Sequence, residues 1–393
     1  YSWNSGLTLK KHQLIMNVYF DNAATTPIHP DVIEAMLPVF SQQFGNPSSI
    51  HAYGREVRAT IEAARKKVAQ MLNASPSEIF FTSGGTEADN MSLRCSVQDL
   101  GIEHVITSEL EHHAVLHTLE DMAERGQILL SLVKVDSAGH VDLNDLERLL
   151  QTEGKALVSL MHANNEIGTM ISLEEVGGLC RKYNALFQSD TVQTMGHYRH
   201  DLATLPVDFI TGAAHKFHGP KGVGFLYIRN GVRIKPYITG GSQERNMRGG
   251  TENVYGIVGL SKALEIAYKD MDDDMSHVRG LKSRMVARLK EEVSGVEFNG
   301  DISDEGSLYT VLNVSFPPCD HAEMLLFNLD IAGIACSAGS ACTSGSNAGS
   351  HVLRAIGASP DRPAIRFSFS RFNTEAEVDY VVEKVRDLFL VKA

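Results

Sequence analysis

Apolar and polar positions along the chain fall into two rhythms. Short runs of β-branched and aromatic residues bounded by turn formers predict strands at residues 17–20, 78–82, 104–107, 128–135, 156–161, 185–188, 207–210, 310–316 and 364–369. Between them, helical spacing predicts helices over residues 32–40, 55–72, 321–329 and 374–388, with a helix-rich stretch across 253–293. Two more helices open within SGGTEADNMSL (83–93) and SELEHHAVLHTLEDM (108–122). Thr374 followed three residues later by Glu377 is a capping-box signature for the last helix. Strands and helices alternate through the first half of the chain, which predicts an α/β fold with a mainly parallel sheet. Such sheets bind ligands just outside the carboxyl ends of their strands.

Length adds a second unit to that picture. A chain of 393 residues exceeds one typical domain. The expected division is a large domain over 26–273 and a smaller α+β domain from 1–25 and 274–393. Residues 1–16 show no period, and Met16 is a candidate natural start. No internal repeat or low-complexity tract interrupts the pattern.

Composition removes several function classes. Hydrophobic content of 43% with 21% charged residues describes an ordinary soluble protein. With 36 basic against 48 acidic residues the net charge is −12, which argues against nucleic acid or an anionic membrane as main partner. No apolar run reaches spanning length and no signal-peptide core opens the chain. Cys95, Cys180, Cys319, Cys336 and Cys342 are few, odd in number and mostly scattered, as in a cytoplasmic chain with reduced thiols. No CxxC or HxxxH accompanies Cys336 and Cys342, so no metal site is expected.

The candidate chemistry gathers around FITGAAHKFHGPKGVGF (209–225). Lys216 follows a strand among small residues, poorly placed for ordinary solvation and well placed to meet a ligand. Lys221 lies in the same turn, and two solvated turn lysines remain the ordinary reading of this stretch taken alone. Ser83-Gly84-Gly85-Thr86-Glu87 joins a strand to a helix; it is either a tight turn or an anion site at a helix N-terminus. Glu111-His112-His113 and Asn164-Asn165-Glu166 both follow strands, offering a stacking, proton-moving imidazole and a carboxylate-orienting amide. Each also reads as a helix start or a turn. Asp190, with Gln193 three residues on, is a strand-end carboxylate able to hold a ring nitrogen protonated, or simply an N-cap. Cys342 lies in the Gly/Ser loop SAGSACTSGS (337–346), where an exposed thiolate is a strong nucleophile. Arg366 within AIRFSFSRF sits in a short apolar strand and needs an anionic partner; Arg371 is its rival.

Taken in order, DNAATTP, TSGGTEADN, EHHAVL, HANNEIGT, AHKFHGPKGVG, RGGTEN, SAGSACTSGS and IRFSFSRF resemble the cysteine desulfurases. These are fold-type-I, class V enzymes that use pyridoxal 5'-phosphate, and the similarity runs from about residue 18 to 388. The resemblance implies that Lys216 forms a Schiff base with the cofactor and shuttles the Cα proton. It implies that Asp190 pairs with the pyridinium nitrogen, Gln193 bonds the ring oxygen, and His112 stacks on the ring and moves protons. Gly85, Thr86 and His215 would hold the phosphate, with Thr251 reaching in from the second subunit of a homodimer. Asn165 and Arg366 would grip the carboxylate of L-cysteine, and Cys342 would take its sulfur as a persulfide for an unidentified acceptor protein. Iron–sulfur cluster or other thio-cofactor assembly is the implied destination of that sulfur.

The sequence departs from the family pattern in three places. Ala213 stands where a phosphate-binding serine is usual, and Cys336 is an extra thiol, expected to be incidental. The sequence also stops at Ala393, where the resemblance implies a longer tail that docks an iron–sulfur scaffold, so docking to such a scaffold is not an expectation here. A selenocysteine lyase or another class V enzyme is the nearest rival reading. A non-catalytic sulfur-acceptor or scaffold protein is the rival of another class, and the joint presence of Lys216, Asp190 and Cys342 speaks against it.

Overall fold

The computed structural model describes residues 16–151, 154–319, 324–338 and 349–390. Its strands are β1 (Val18–Tyr19), β2 (Ile79–Thr82), β3 (His104–Thr107), β4 (Leu129–Leu132), β5 (Ala156–Ser159) and β6 (Leu186–Asp190). They continue with β7 (Phe209–Ala213), β8 (Gly224–Ile228), β9 (Glu297–Asn299), β10 (Val311–Ser315), β11 (Ile334–Ala335) and β12 (Ala364–Ser368). Seven of these form the main sheet in the order β2-β8-β7-β6-β5-β3-β4. Five neighbouring strands run parallel, while β8 is antiparallel to both β2 and β7.

Alternation along each strand divides the core into two layers. Ile79, Phe81, Ile106, Val158, Ile210, Phe225 and Tyr227 share one cluster with the helices Pro30–Gln42, Ala52–Met71 and Val254–Lys269. Their strand neighbours Phe80, Val105, Leu157, Phe209 and Leu226 face the helices Gly85–Leu100 and His113–Glu124. A period of two in the side chains thus covers both faces, the usual state of a parallel sheet. Only at the edge is this relaxed: Leu129 and Leu132 of β4 are exposed.

A second core is built around the antiparallel sheet β12-β10-β9. Its apolar side chains pack with those of the helices Met271–Glu292 and Glu375–Leu390, and Val18 and Phe20 join from the far end of the chain. There β1 pairs in parallel with β11, which ties residue 18 to residue 334.

Several sequence expectations are shifted by this structure. The run expected at 185–188 extends to Asp190, so that carboxylate is the last residue of β6. The run expected at 207–210 moves to Phe209–Ala213, taking the small residues into the strand. The glycine-rich exit after Lys216 leads into β8, a strand that the glycines concealed. Gly224 itself is required there: a Cβ on it would lie 2.5 Å from the carbonyl oxygen of Gly212 on β7. The helix expected over 321–329 is Leu325–Ile331, with 320–323 outside the described residues. The short elements β9, β11 and His351–Ala355 carry too little periodicity to be read from sequence.

Candidate active site

The carboxyl ends of β5, β6 and β7 open into a cleft of about 250 Å³. Lys216 reaches it from a single 3₁₀ turn, Ala214–Lys216, that continues β7. Its ammonium donates to the carbonyl oxygens of Ala23 at 2.5 Å and Ala24 at 2.9 Å. Lys221 is exposed and does not line the cleft. Of the two lysines, only Lys216 meets the site.

Asp190 faces Lys216 from the end of β6. It is 7% exposed and accepts the N–H of Val192 at 2.8 Å. Burial pushes its carboxyl up to about 6, against the pull of the Val192 N–H and the Lys216 charge. Behind it lies Asp89, fully buried, raised by its own burial and by the Asp190 charge, and accepting from Gln188 Nε2 at 3.1 Å. Asp89 lines the cleft and was not singled out from the sequence. One signal was available: it follows Gly85 by four positions, hence on the same helix face.

His112 caps the helix His113–Glu124, its Nδ1 accepting the N–H of Ala114 at 3.1 Å. Burial, reinforced by the positive charge of Lys216, pushes its imidazole down to about 4. The ring is therefore neutral at pH 7, and the capping bond puts its proton on Nε2. His113 turns away and pairs with His351 at 3.1 Å. Asn164 and Asn165 divide in the same way. The buried Asn164 amide donates to Leu110 O and accepts from the N–H groups of Glu166 and Ile167, which makes it a turn former. Asn165 lines the cleft.

At the other end of the cleft, Gly85 and Thr86 open the helix Gly85–Leu100, whose N-cap Gly84 offers no side-chain cap. His215 stands beside them as a lining residue, with Nδ1 3.2 Å from Thr25 Oγ1, and burial pushes it down to about 4. Ala213 lines the same region without a hydroxyl. Gln193 lines the cleft and donates to Ala23 O at 3.1 Å.

Arg366 enters from the opposite side, on β12. Its side chain is 1% exposed; Nη2 donates to Asp21 Oδ1 at 2.7 Å and Nη1 to Asn165 O at 3.0 Å. Its buried Nε has no partner among the described residues. Arg371 lies elsewhere, paired with Asp270 and Asp274. Thr251 is exposed and lies outside this cleft, beside Ser83 and Arg248. Cys336 is half-buried, and burial together with the Asp21 charge pushes its thiol up to about 12. Cys342 lies outside the described residues. Among the described residues no three metal-ligating side chains are grouped to hold an ion, and no helix is long and apolar enough to cross a membrane.

The family model described as Aminotransferase class-V matches residues 18–381. The chain belongs to the class-V aminotransferases. It is 42% identical over 382 residues to the cysteine desulfurase IscS of Dictyoglomus turgidum, covering 94% of this chain and 96% of that one. Among solved structures, a NifS-like protein aligns with a TM-score of 0.87 at 40% identity, over 95% of this chain and 99% of its own. SspA in complex with cysteine aligns with a TM-score of 0.78 at 30% identity, over 91% of this chain and 100% of its own.

Class-V aminotransferases are pyridoxal-phosphate-dependent, and the donor set of this cleft suits that cofactor. A helix start without a side-chain cap favours an anion at Gly85 and Thr86. Asp190, its carboxyl raised by burial, gains most from a cationic N–H partner. Lys216 supplies the amine between them.

Proposed function

We infer that this chain is a cysteine desulfurase: it takes sulfur from L-cysteine, releases L-alanine and carries the sulfur as a persulfide on Cys342 to an acceptor protein. The observation that carries the reading is the convergence of Lys216, Asp190 and His112 on one cleft that Asn165 and Arg366 also line. Relatives named as cysteine desulfurases over nearly the whole chain support it.

Lys216 would hold the cofactor aldehyde and afterwards move the substrate Cα proton on Nζ. Asp190 would keep the ring nitrogen protonated, and Gln193 would bond the ring oxygen. His112, neutral at working pH, would lie against the ring and pass protons through Nε2. Gly85, Thr86 and His215 would hold the phosphate. The cofactor, when bound, supplies an electron sink that acidifies the substrate Cα–H and opens its sulfur to attack. Asn165 and Arg366 orient the substrate by its carboxylate. The Cys342 thiolate attacks that sulfur: an S–S bond forms, the C–S bond breaks, and its electron pair stays on carbon, which takes a proton to become the methyl group of alanine.

A homodimer completes the phosphate site in this reading, because Thr251 is exposed and outside the cleft of its own chain. An apolar surface supports this: Phe40, Phe44, Ile50, Tyr53 and Tyr255 are all exposed, with the Phe40 ring stacked on Tyr255 at 4.1 Å. The two separate cores support a large domain over 26–273 and a small one from 1–25 and 274–393. A cytoplasmic setting, and sulfur delivery to iron–sulfur or thio-cofactor assembly, belong to the same reading.

The test is an assay of alanine and protein-bound sulfur with L-cysteine and L-selenocysteine side by side, on the holoenzyme and on Cys342→Ala. The variant is expected to keep the visible absorbance of bound cofactor and to form no persulfide. Unchanged sulfur release from cysteine in Cys342→Ala would remove the nucleophile assignment. Turnover of selenocysteine alone would replace the reading with a selenocysteine lyase.

A further inference from the structure

Arg366 is a buried cation, and a guanidinium taken out of water is costly unless an anion accompanies it. Asp21 is that anion. Its Oδ1 accepts from Arg366 Nη2 at 2.7 Å and from Ser337 Oγ at 2.8 Å, and its side chain is 19% exposed against 1% for Arg366. The backbone fixes its position: Asp21 forms a parallel bridge with Ser368, and its carbonyl accepts the N–H of Ala24 at 3.0 Å. Asn165 O holds Nη1 at 3.0 Å, so the guanidinium is pinned at two nitrogens. The buried Nε has no partner among the described residues, on an arginine that lines the cleft.

We propose that Asp21 is a positioning and affinity-setting residue for the substrate carboxylate: it is the resident counter-ion with which an incoming carboxylate must share Arg366. The proposal rests on the reading of Arg366 as the carboxylate anchor. Paired with the Asp21 carboxylate, the guanidinium is held beside the cleft with its charge already balanced. A bound carboxylate then places two anions on one cation. Affinity is kept moderate, and alanine, which carries the same carboxylate as cysteine, leaves after turnover instead of blocking the cleft. DNAATTP, which no cofactor or substrate contact accounts for at its first residue, acquires a task through this pair.

Asp21→Asn keeps an oxygen that accepts from Ser337 and Arg366 but removes the charge. In the holoenzyme it is expected to bind L-alanine roughly tenfold more tightly, as removal of a nearby like charge at intermediate dielectric implies. The ligand-free Tm should fall, and the rise in Tm on adding L-alanine should exceed that of the native protein. A merely structural role gives the lower Tm with alanine affinity unchanged or weakened, and that result overturns the proposal. Asp21→Ser removes the same charge with less bulk beside Ser337 and is the second route should the amide not fold. Arg366→Lys separates the two claims. If that variant binds alanine as the native protein does, the anchor reading fails. If it loses alanine affinity while the Asp21 variants gain none, only the role of Asp21 fails.

Discussion

The wall of the cleft built by the main sheet and the wall built by the small sheet reach the same polarity by different means. On the main-sheet side, two groups are held by near neighbours, Asp190 by the N–H of Val192 and His112 by the N–H of Ala114, while Lys216 is mixed: the 3₁₀ turn that ends β7 sets its backbone and the carbonyls of Ala23 and Ala24 hold its ammonium. On the small-sheet side, Arg366 is held by Asp21, 345 positions away, and by the carbonyl of Asn165, 201 positions away. A strand end followed by a turn sets its own side chains wherever the sheet lies. A cation in the middle of an apolar strand has no local device, and its counter-ion must be delivered by the fold. One wall is therefore set in part by local devices, with only its lysine tied to the N-terminal segment, whereas the other exists only when the N-terminal segment, β5 and β12 have come together.

Three tests break or sharpen that contrast, in decreasing order of effect. Lys216→Ala should abolish retention of cofactor absorbance and lower turnover by roughly a thousandfold or more, the order lost with a group that acts in nucleophilic and acid–base steps. Lys221→Ala should leave both near native, and the reverse outcome would move the amine to the neighbouring turn. The paired asparagines come next. Asn164→Ala leaves the N–H groups of Glu166 and Ile167 without their acceptor and should cost about 2–3 kcal/mol in urea unfolding. Asn165→Ala should leave stability within about 0.5 kcal/mol and raise the KM for cysteine. Equal effects on stability would show that the pair does not divide between scaffold and cleft. The smallest effect belongs to Cys336. With its thiol near 12, the thiolate fraction at pH 8 is on the order of 1 in 10,000. In a Cys342→Ala background its alkylation should rise about tenfold per pH unit up to pH 10 or so, and Cys336→Ser should leave turnover within about twofold. A plateau near pH 8 would mark Cys336 as a reactive thiol.

What could be read in the sequence follows the same division. The residues singled out at strand ends, Lys216, Asp190, His112 and Asn165, line one cleft, because the end of a strand and the start of a turn are both visible as local pattern. Three of them came with a rival of the same type, and the rivals Lys221, His113 and Asn164 turn elsewhere. No local pattern separates neighbours of the same type; register on the sheet and burial do. Arg366 was preferred with Arg371 as its rival, and their partners decide between them: Asp21 and Asn165 for one, Asp270 and Asp274 for the other. Asp89 went unnoticed because an acid early in a helix is most often ordinary first-turn charge. Its significance comes from Asp190 on another element, whose charge adds to the upward shift. Strand β8 was hidden by the glycines that make its close pairing possible.

By itself the sequence determined the alternation of strands and helices, the α/β architecture and the set of side chains available at the strand ends, since period, turn chemistry and residue type act over a few positions. Tertiary structure alone decided which member of each pair faces the cleft, that Asp21 meets Arg366, and that Asp89 stands behind Asp190. Those outcomes are set by desolvation and by charges brought together from distant parts of the chain, and neither quantity exists until the chain is packed.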